Sequence, residues 1–115
     1  MLTDIIREHI TREQLKQFAH NTFVDLVKAV VDIERGIMAV GGELHADEET
    51  VLLEDGSKQI NLWGINLYPD KTGEDFVEFD SMINLRPSQG NRSRGVNDPA
   101  IQQQIIAVVN KLLAS

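Results

Sequence analysis

Residues 27–40 read VKAVVDIERGIMAV. The first half of this stretch is rich in β-branched side chains, which favour strands, and from Ile37 the stretch is apolar again. Arg35-Gly36 lies between the two halves and suits a tight turn. The stretch therefore predicts a β-hairpin. The helical spacing of the apolar residues leaves one alternative, a long helix that continues through residues 23–34.

Three segments around this hairpin predict helices. Thr11 and Gln14 match a capping box, which opens the first helix. The second spans residues 46–56, with Asp47 placed as its N-cap and acidic residues in its first turn. The third follows Asp98, which precedes a proline at the first helical position and a stripe of aliphatic residues.

Two more segments predict strands, residues 60–68 and residues 76–85. The alternation in the second places Asn84 and Arg86 on its outward side. The predicted order is α-β-β-α-β-β-α. Two hairpins predict a mainly antiparallel four-stranded sheet with the helices on one face, which is an α+β fold. The length of 115 residues fits a single domain over residues 1–115.

The composition excludes several classes of protein. The net charge of −7 disfavours nucleic acid and anionic membrane surfaces as partners, because both are bound through cations. The absence of cysteine excludes disulfides, thiolate catalysis and cysteine-based zinc sites. The N-terminal residues are charged and no apolar run approaches the ~20 residues of a membrane span. We expect a soluble, cytoplasmic protein without a membrane partner, a cofactor or a metal.

Three blocks of the sequence resemble a known family. They are AVVDIERGIMAVGGELHADEE (29–49), LWGINLYP (62–69) and FDSMINLRPSQGNRSRGV (79–96). Together they resemble a small bacterial family of domains of unknown function that is common in cyanobacteria. The resemblance covers nearly the whole chain and implies a free-standing bacterial domain. It brings no catalytic residues with it, so the functional residues have to be sought in the chain itself.

The segment from Arg86 to Gly95 is the first candidate site. It holds three of the eleven basic residues and two glycines. Guanidinium groups bind phosphate or carboxylate in a bidentate way, and hydroxyl, amide and backbone donors complete such a cradle. The segment therefore predicts an anion site formed by Arg86, Ser88, Asn91, Arg92 and Arg94. The spacing is not that of a Walker A loop. In the alternative interpretation, the arginines pair with surface carboxylates and fix the connection from strand to helix.

The second candidate site is centred on His45. In an extended segment, Glu43, His45 and Asp47 would lie on one side. Such a set suits a divalent metal, or a general base that a carboxylate orients. The other two histidines, His9 and His20, belong to the first segment of the chain. The alternative is an acidic helix start with a histidine beside it.

These candidates leave three classes of function open. The favoured one is a non-catalytic binding or interaction module, with a small anionic ligand as a candidate. The second is a small enzyme that binds an anionic substrate through the arginines and transfers protons through His45 with Glu43 or Asp47. The third is a toxin-like protein that acts on nucleic acid, against which the acidic charge and the missing aromatic platform argue.

We also expect a homo-oligomer, in the form of a homodimer. The outward face of the predicted sheet carries apolar side chains that helices on the other face cannot cover. These side chains are Ile60, Leu62, Tyr68 and Met82.

Overall fold

The computed structural model describes residues 3–114. The elements in chain order are β1 (Asp4–Ile6), β2 (Ile10–Thr11), α1 (Arg12–Asn21), β3 (Val27–Asp32), β4 (Ile37–Val40), α2 (His45–Glu54), β5 (Leu62–Leu67), β6 (Val77–Glu78), α3 (Pro99–Leu112) and β7 (Leu113–Ala114). Five of the strands form an antiparallel sheet in the order β1-β4-β3-β5-β6, and β2 pairs in parallel with β7. The α+β class is thus confirmed, and the predicted four strands are corrected to five in the main sheet.

The hairpin over residues 27–40 is confirmed and the long helix is excluded. β3 and β4 pair in register, with Asp32 opposite Ile37. The buried Asp32 carboxylate accepts hydrogen bonds from the backbone N–H groups of Glu34 and Arg35, each at 2.9 Å. Gly36 has a φ of +67°, a conformation that suits glycine in the turn. An aspartate and a glycine therefore fix this turn.

One face of the sheet is covered by α1 and α3. The predicted capping box of Thr11 and Gln14 opens α1, and Asp98 caps α3 by accepting from the Ala100 N–H group. Alternate residues of β3 and β5 face these helices. The larger hydrophobic core forms there and includes Leu15, Ala29, Val31, Trp63, Ile65, Leu67, Ile105, Val109 and Leu112.

The opposite face is covered by α2, so the prediction of helices on one face is wrong. A smaller core lies beneath α2, formed by Val30, Ile37, Ala39, Leu52 and Leu62. Leu62 is fully buried there. Ile60 and Met82 are exposed, on short 3-10 turns rather than on the strands. Within residues 3–114, helices cover both faces of the sheet, and the homodimer stays a prediction.

The start of α2 also differs from the prediction. The helix begins at His45, and its N-cap Leu44 makes no side-chain capping bond. Asp47 lies within the first turn and is not the cap. Along the helix, His45, Glu48 and Leu52 face inward at a spacing of three and four residues. This spacing places α2 on the sheet.

The predicted strand over residues 76–85 is wrong beyond Glu78. Gly64 leaves room on β5, and Ser81 and Ile83 pack over the position that a side chain would fill there. Asn84 then donates to the Gly64 carbonyl and accepts from the Gly64 N–H group, at 2.9 and 2.8 Å. A side-chain amide thus takes the place of a strand on the edge of β5, and Asn84 is buried where the alternation predicted it outside.

Within residues 3–114, no helix is both long and apolar enough to cross a membrane.

Candidate functional site

Asn91 forms the hydrogen bonds that hold together the segment from Arg86 to Gly95, the first candidate site. Its side-chain Nδ2 donates to the carbonyls of Asn84 at 2.7 Å, Gly95 at 2.8 Å and Ser93 at 3.1 Å. Its Oδ1 accepts from the Asn97 N–H group at 2.8 Å. Both ends of this buried amide are therefore engaged in holding the loop together.

Arg86 is also turned inward. Its Nε donates to the Ile83 carbonyl at 2.9 Å, and its Nη2 donates to the Leu62 carbonyl. The guanidinium lies over the Trp63 ring, 4.6 Å from the centroid, which is a cation–π geometry. Burial lowers the pKa of Arg86, and the charge of Glu49 acts in the opposite direction. Arg86 Nη1 is buried without a hydrogen-bond partner among the described residues.

The other three residues of the predicted anion site lie at the surface. Ser88 and Arg92 are exposed, and the Arg94 Nε donates to an Asp80 oxygen at 2.8 Å. The five residues are therefore divided between the interior and the surface and do not share one face. The ion pair of Arg94 matches the alternative interpretation of the sequence, in which arginines pair with surface carboxylates. Anion binding by the loop stays a prediction.

A cavity of about 210 Å³ lies between this loop and the N-terminus of α3. Its walls combine apolar side chains with amide and backbone groups, and they include Ile60, Trp63, Gly90, Asn91, Asp98 and Ile101. Trp63 is 4% exposed, and its indole Nε1 has no hydrogen-bond partner within residues 3–114. No pattern in the sequence predicts this cavity, because it forms only when the loop folds back onto α3.

His45 is held by the sheet beneath it. Its Nε2 lies 2.8 Å from the Ile65 carbonyl, which can only accept, so Nε2 carries the proton and Nδ1 keeps its lone pair. Burial lowers the pKa of His45, and the charges of Lys28 and Arg94 lower it further, against the effects of the Ile65 bond and Asp80. His45 is therefore a neutral imidazole with one acceptor nitrogen at neutral pH.

Glu43 and Asp47, the predicted partners of His45, are both exposed. The carboxyl group on the inward side of α2 with His45 belongs to Glu48 instead. The sequence interpretation assumed an extended segment with a period of two. The helical spacing of His45, Glu48 and Leu52 is the signal that would have identified Glu48.

Glu48 is fully buried. Its Oε2 accepts from the Gly42 N–H group at 3.0 Å, and its Oε1 has no partner among the described residues. Burial raises the pKa of Glu48 to about 9, with smaller opposing effects from the Gly42 bond and Lys28. The group is therefore a neutral carboxylic acid at neutral pH, and the proton belongs on the oxygen that does not accept from Gly42.

A row of polar residues crosses the sheet on the face that α2 covers. Lys28 is paired with Asn66 across the strands, and Asn66 with Glu78. The Asn66 side chain and the Tyr68 hydroxyl donate to the same Glu78 oxygen, at 2.8 and 3.0 Å.

In the part of the chain that is described, no three His, Asp or Glu side chains converge to hold a metal ion. The chemistry available at this end of α2 is proton transfer and hydrogen bonding.

The geometry thus defines an α+β domain with a small cavity under a polar loop and a buried acid and imidazole under α2. A family model described as "Protein of unknown function (DUF5674)" matches residues 4–112, and the chain belongs to this family. This match confirms the resemblance to a family of domains of unknown function. Searches of curated proteins and of solved structures gave no match.

Proposed function

We propose that the protein is a non-catalytic binding module for a small carboxylate, held in the cavity between the loop and α3. One observation carries this proposal. The indole Nε1 of Trp63, a side chain of the cavity wall, is a buried donor without an acceptor among the described residues. The Arg86 guanidinium lies over the ring of this tryptophan and brings a positive charge against it. A buried donor without an acceptor is costly, so such groups mark sites where an oxygen ligand fits.

The walls of the cavity suit a ligand with an apolar body. Ile60, Trp63 and Ile101 offer apolar contact, and the volume of about 210 Å³ suits a molecule of the size of benzoate. Arg92 is exposed on the same loop, and its backbone N–H group donates to the side chain of Asn97, a residue of the cavity wall. We infer that its positive charge attracts an anionic ligand to this wall. These features favour a small aromatic or aliphatic carboxylate over a phosphate, which has no apolar part.

The surroundings of the cavity favour binding over catalysis. The titratable side chain in its wall is Asp98, whose carboxylate accepts from the Ala100 N–H group as the cap of α3. The remaining polar groups in the wall are amides and backbone. Among the described residues that line the cavity, no nucleophile is paired with a base.

Tryptophan fluorescence tests the proposal directly, because Trp63 is the one tryptophan in the chain. We expect sodium benzoate to change the Trp63 emission with a saturable dependence on concentration. Ile101→Phe, which fills the cavity, should weaken binding about tenfold or more, the loss of about 1.4 kcal/mol. Ile106→Phe, a half-buried isoleucine of the same helix outside the cavity wall, is the matched control and should bind as the parent does.

A charge comparison sharpens this test. Arg92→Gln should weaken the binding of benzoate and leave that of uncharged benzyl alcohol unchanged. If neither compound changes the emission, the proposal is wrong. If benzyl alcohol binds as tightly as benzoate, the cavity stands as a site but its preference for carboxylates does not.

A small enzyme remains the second candidate because of one observation at His45. The Ile65 carbonyl fixes the tautomer in which Nδ1 is free to accept a proton, as a general base requires. A panel of chromogenic esters of small carboxylic acids tests this, with the parent chain compared with His45→Gln. Equal rates for both chains would remove this candidate.

A further inference from the structure

The outer edge of β1 is the first of two features that point to a second binding surface. β1 is the terminal strand of the five-stranded sheet, and β4 pairs with its inner side only. Within residues 3–114, no strand pairs with its outer side. Such an edge presents backbone donors and acceptors in the spacing that a further strand needs.

A groove of about 310 Å³ lies beside this edge, between β1 and α1. Ile6, Ile10 and Phe18 provide its apolar part, and the amides of Gln17 and Asn21 line it as well. An edge strand next to an apolar groove is the arrangement used for strand addition, in which backbone bonds hold a peptide and pockets receive its alternate side chains.

The unpaired carboxylates make the charge around this edge negative. Arg7, which follows β1, is paired with Asp55, and His9 is the other basic side chain beside the groove. Asp4 lines the groove, and Glu8 lies in the turn that follows β1. Both are exposed, and neither has an ion-pair partner in the part of the chain that the structure describes. The net charge of −7 has the same sign. A second copy of the chain would bring this charge against itself, whereas a basic segment is attracted.

We propose that β1 and its groove receive an extended basic segment of another protein, which adds to the sheet as a sixth strand. An apolar side chain of the segment occupies the groove beside Ile6 and Phe18, and a lysine or arginine lies beside Asp4. This surface is separate from the cavity under the loop and does not depend on the carboxylate proposal.

The probe is an acetylated and amidated decapeptide with lysine and valine in turn at every second position and serine between them, so that both side chains lie on the face that carries Asp4 and Ile6. The same peptide with glutamate in place of lysine serves for comparison. We expect the lysine peptide to bind at least about tenfold more tightly at low salt. Amide shifts in a two-dimensional NMR spectrum should concentrate at residues 4–6 and on the side of α1 that carries Phe18. Asp4→Lys should reverse the preference between the peptides. Glu74→Lys, at an exposed site elsewhere, should leave it unchanged.

A second peptide separates strand addition from simple charge attraction. The lysine peptide with N-methyl groups at alternate residues keeps its charge but cannot form the ladder, so it should lose binding. Equal binding of the methylated peptide, or shifts spread over the acidic surface without a cluster at β1, would overturn the proposal. Sedimentation of the free chain as a dimer that Asp4→Lys alters would assign the edge to a second copy instead, and would overturn it as well.

Discussion

The two faces of the sheet differ in what they bury. The face under α1 and α3 buries apolar residues in one large cluster. The face under α2 has a small apolar cluster and buries Asp32, Glu48 and Asn66 beside it, each with one side-chain oxygen that has no partner among the described residues. Burying polar groups without full hydrogen bonding costs stability. The first face therefore carries the stability of the fold, and the second carries its dependence on pH.

The largest effect is expected from Glu48→Gln. The folded pKa of about 9 lies above the ordinary value of 4.5, so the unfolded chain loses this proton first as the pH rises. The contribution of Glu48 to stability is therefore fully present below about pH 4.5 and should fall towards pH 9, by up to about 1.4 kcal/mol per pH unit. The glutamine variant has no such proton to lose, so its advantage over the parent should grow across this range.

Urea denaturation at four pH values between 4.5 and 9 measures this difference. Glu54→Gln, an exposed glutamate on the same helix, is the matched control and should follow the parent. A constant difference between parent and Glu48→Gln across the range would show that the acid is already ionised in the folded chain.

Leu112→Ala tests the apolar face. Leu112 is fully buried in the larger core, and truncation of such a leucine costs about 2–5 kcal/mol through lost burial and the remaining cavity. This loss should be independent of pH, unlike that at Glu48. Leu53→Ala, at an exposed leucine of α2, should change the free energy of unfolding little. A loss below about 1 kcal/mol for Leu112→Ala would contradict the assignment of stability to this face.

Asn84→Ala should cost about 3 kcal/mol. The change removes the bonds to both backbone groups of Gly64 and leaves these groups unpaired, and it also removes one of the two bonds to the Arg94 carbonyl. Asn110→Ala, at an exposed position of α3, is the control. Equal stability of Asn84→Ala and the parent would mean that water replaces the amide on the edge of β5.

Asn84 also shows why part of the fold was not predictable. The alternation over residues 76–85 is local, and it predicts a strand. The bond that ends the strand joins Asn84 to Gly64, twenty residues away in the sequence. By contrast, the hairpin, the capping box of Thr11 and Gln14 and the cap at Asp98 depend on neighbours in the sequence, and all of these were predicted correctly.

The candidate sites follow the same rule. The Arg86–Gly95 segment was identified by its composition, but composition does not say that Arg86 turns inward onto Trp63. His45 was identified, but its partner was sought at a spacing of two because the start of α2 was placed one residue late. β1 has three residues, too few for a periodic pattern, so the edge and its groove had no sequence signal.

The smallest effect is expected at the C-terminal end of α2, where surface ion pairs tie the helix to the sheet. Asp55 accepts from Arg7 and from Arg35, each at 2.7 Å. Hydrogen bonds from these two guanidinium groups lower the pKa of Asp55 to about 2, below its ordinary value of 3.8. The stabilisation by this carboxylate is thus fully present above about pH 3.8 and is lost as the pH falls through about 2.

Asp55→Asn should therefore lower the melting temperature at pH 5 by less than any of the three changes above, because exposed ion pairs contribute little. The difference from the parent should shrink as the pH falls below about 3.8 and should be small at pH 2, where about half of the folded parent chains no longer carry this charge. Melting curves between pH 2 and pH 5 measure it, with Asp75→Asn, at an exposed turn, as the control. A difference that persists at pH 2 would show that Asp55 acts through hydrogen bonds that asparagine cannot replace. The interaction of Asp55 with Arg7 and Arg35 would then resemble the buried polar groups under α2, and not an exposed ion pair.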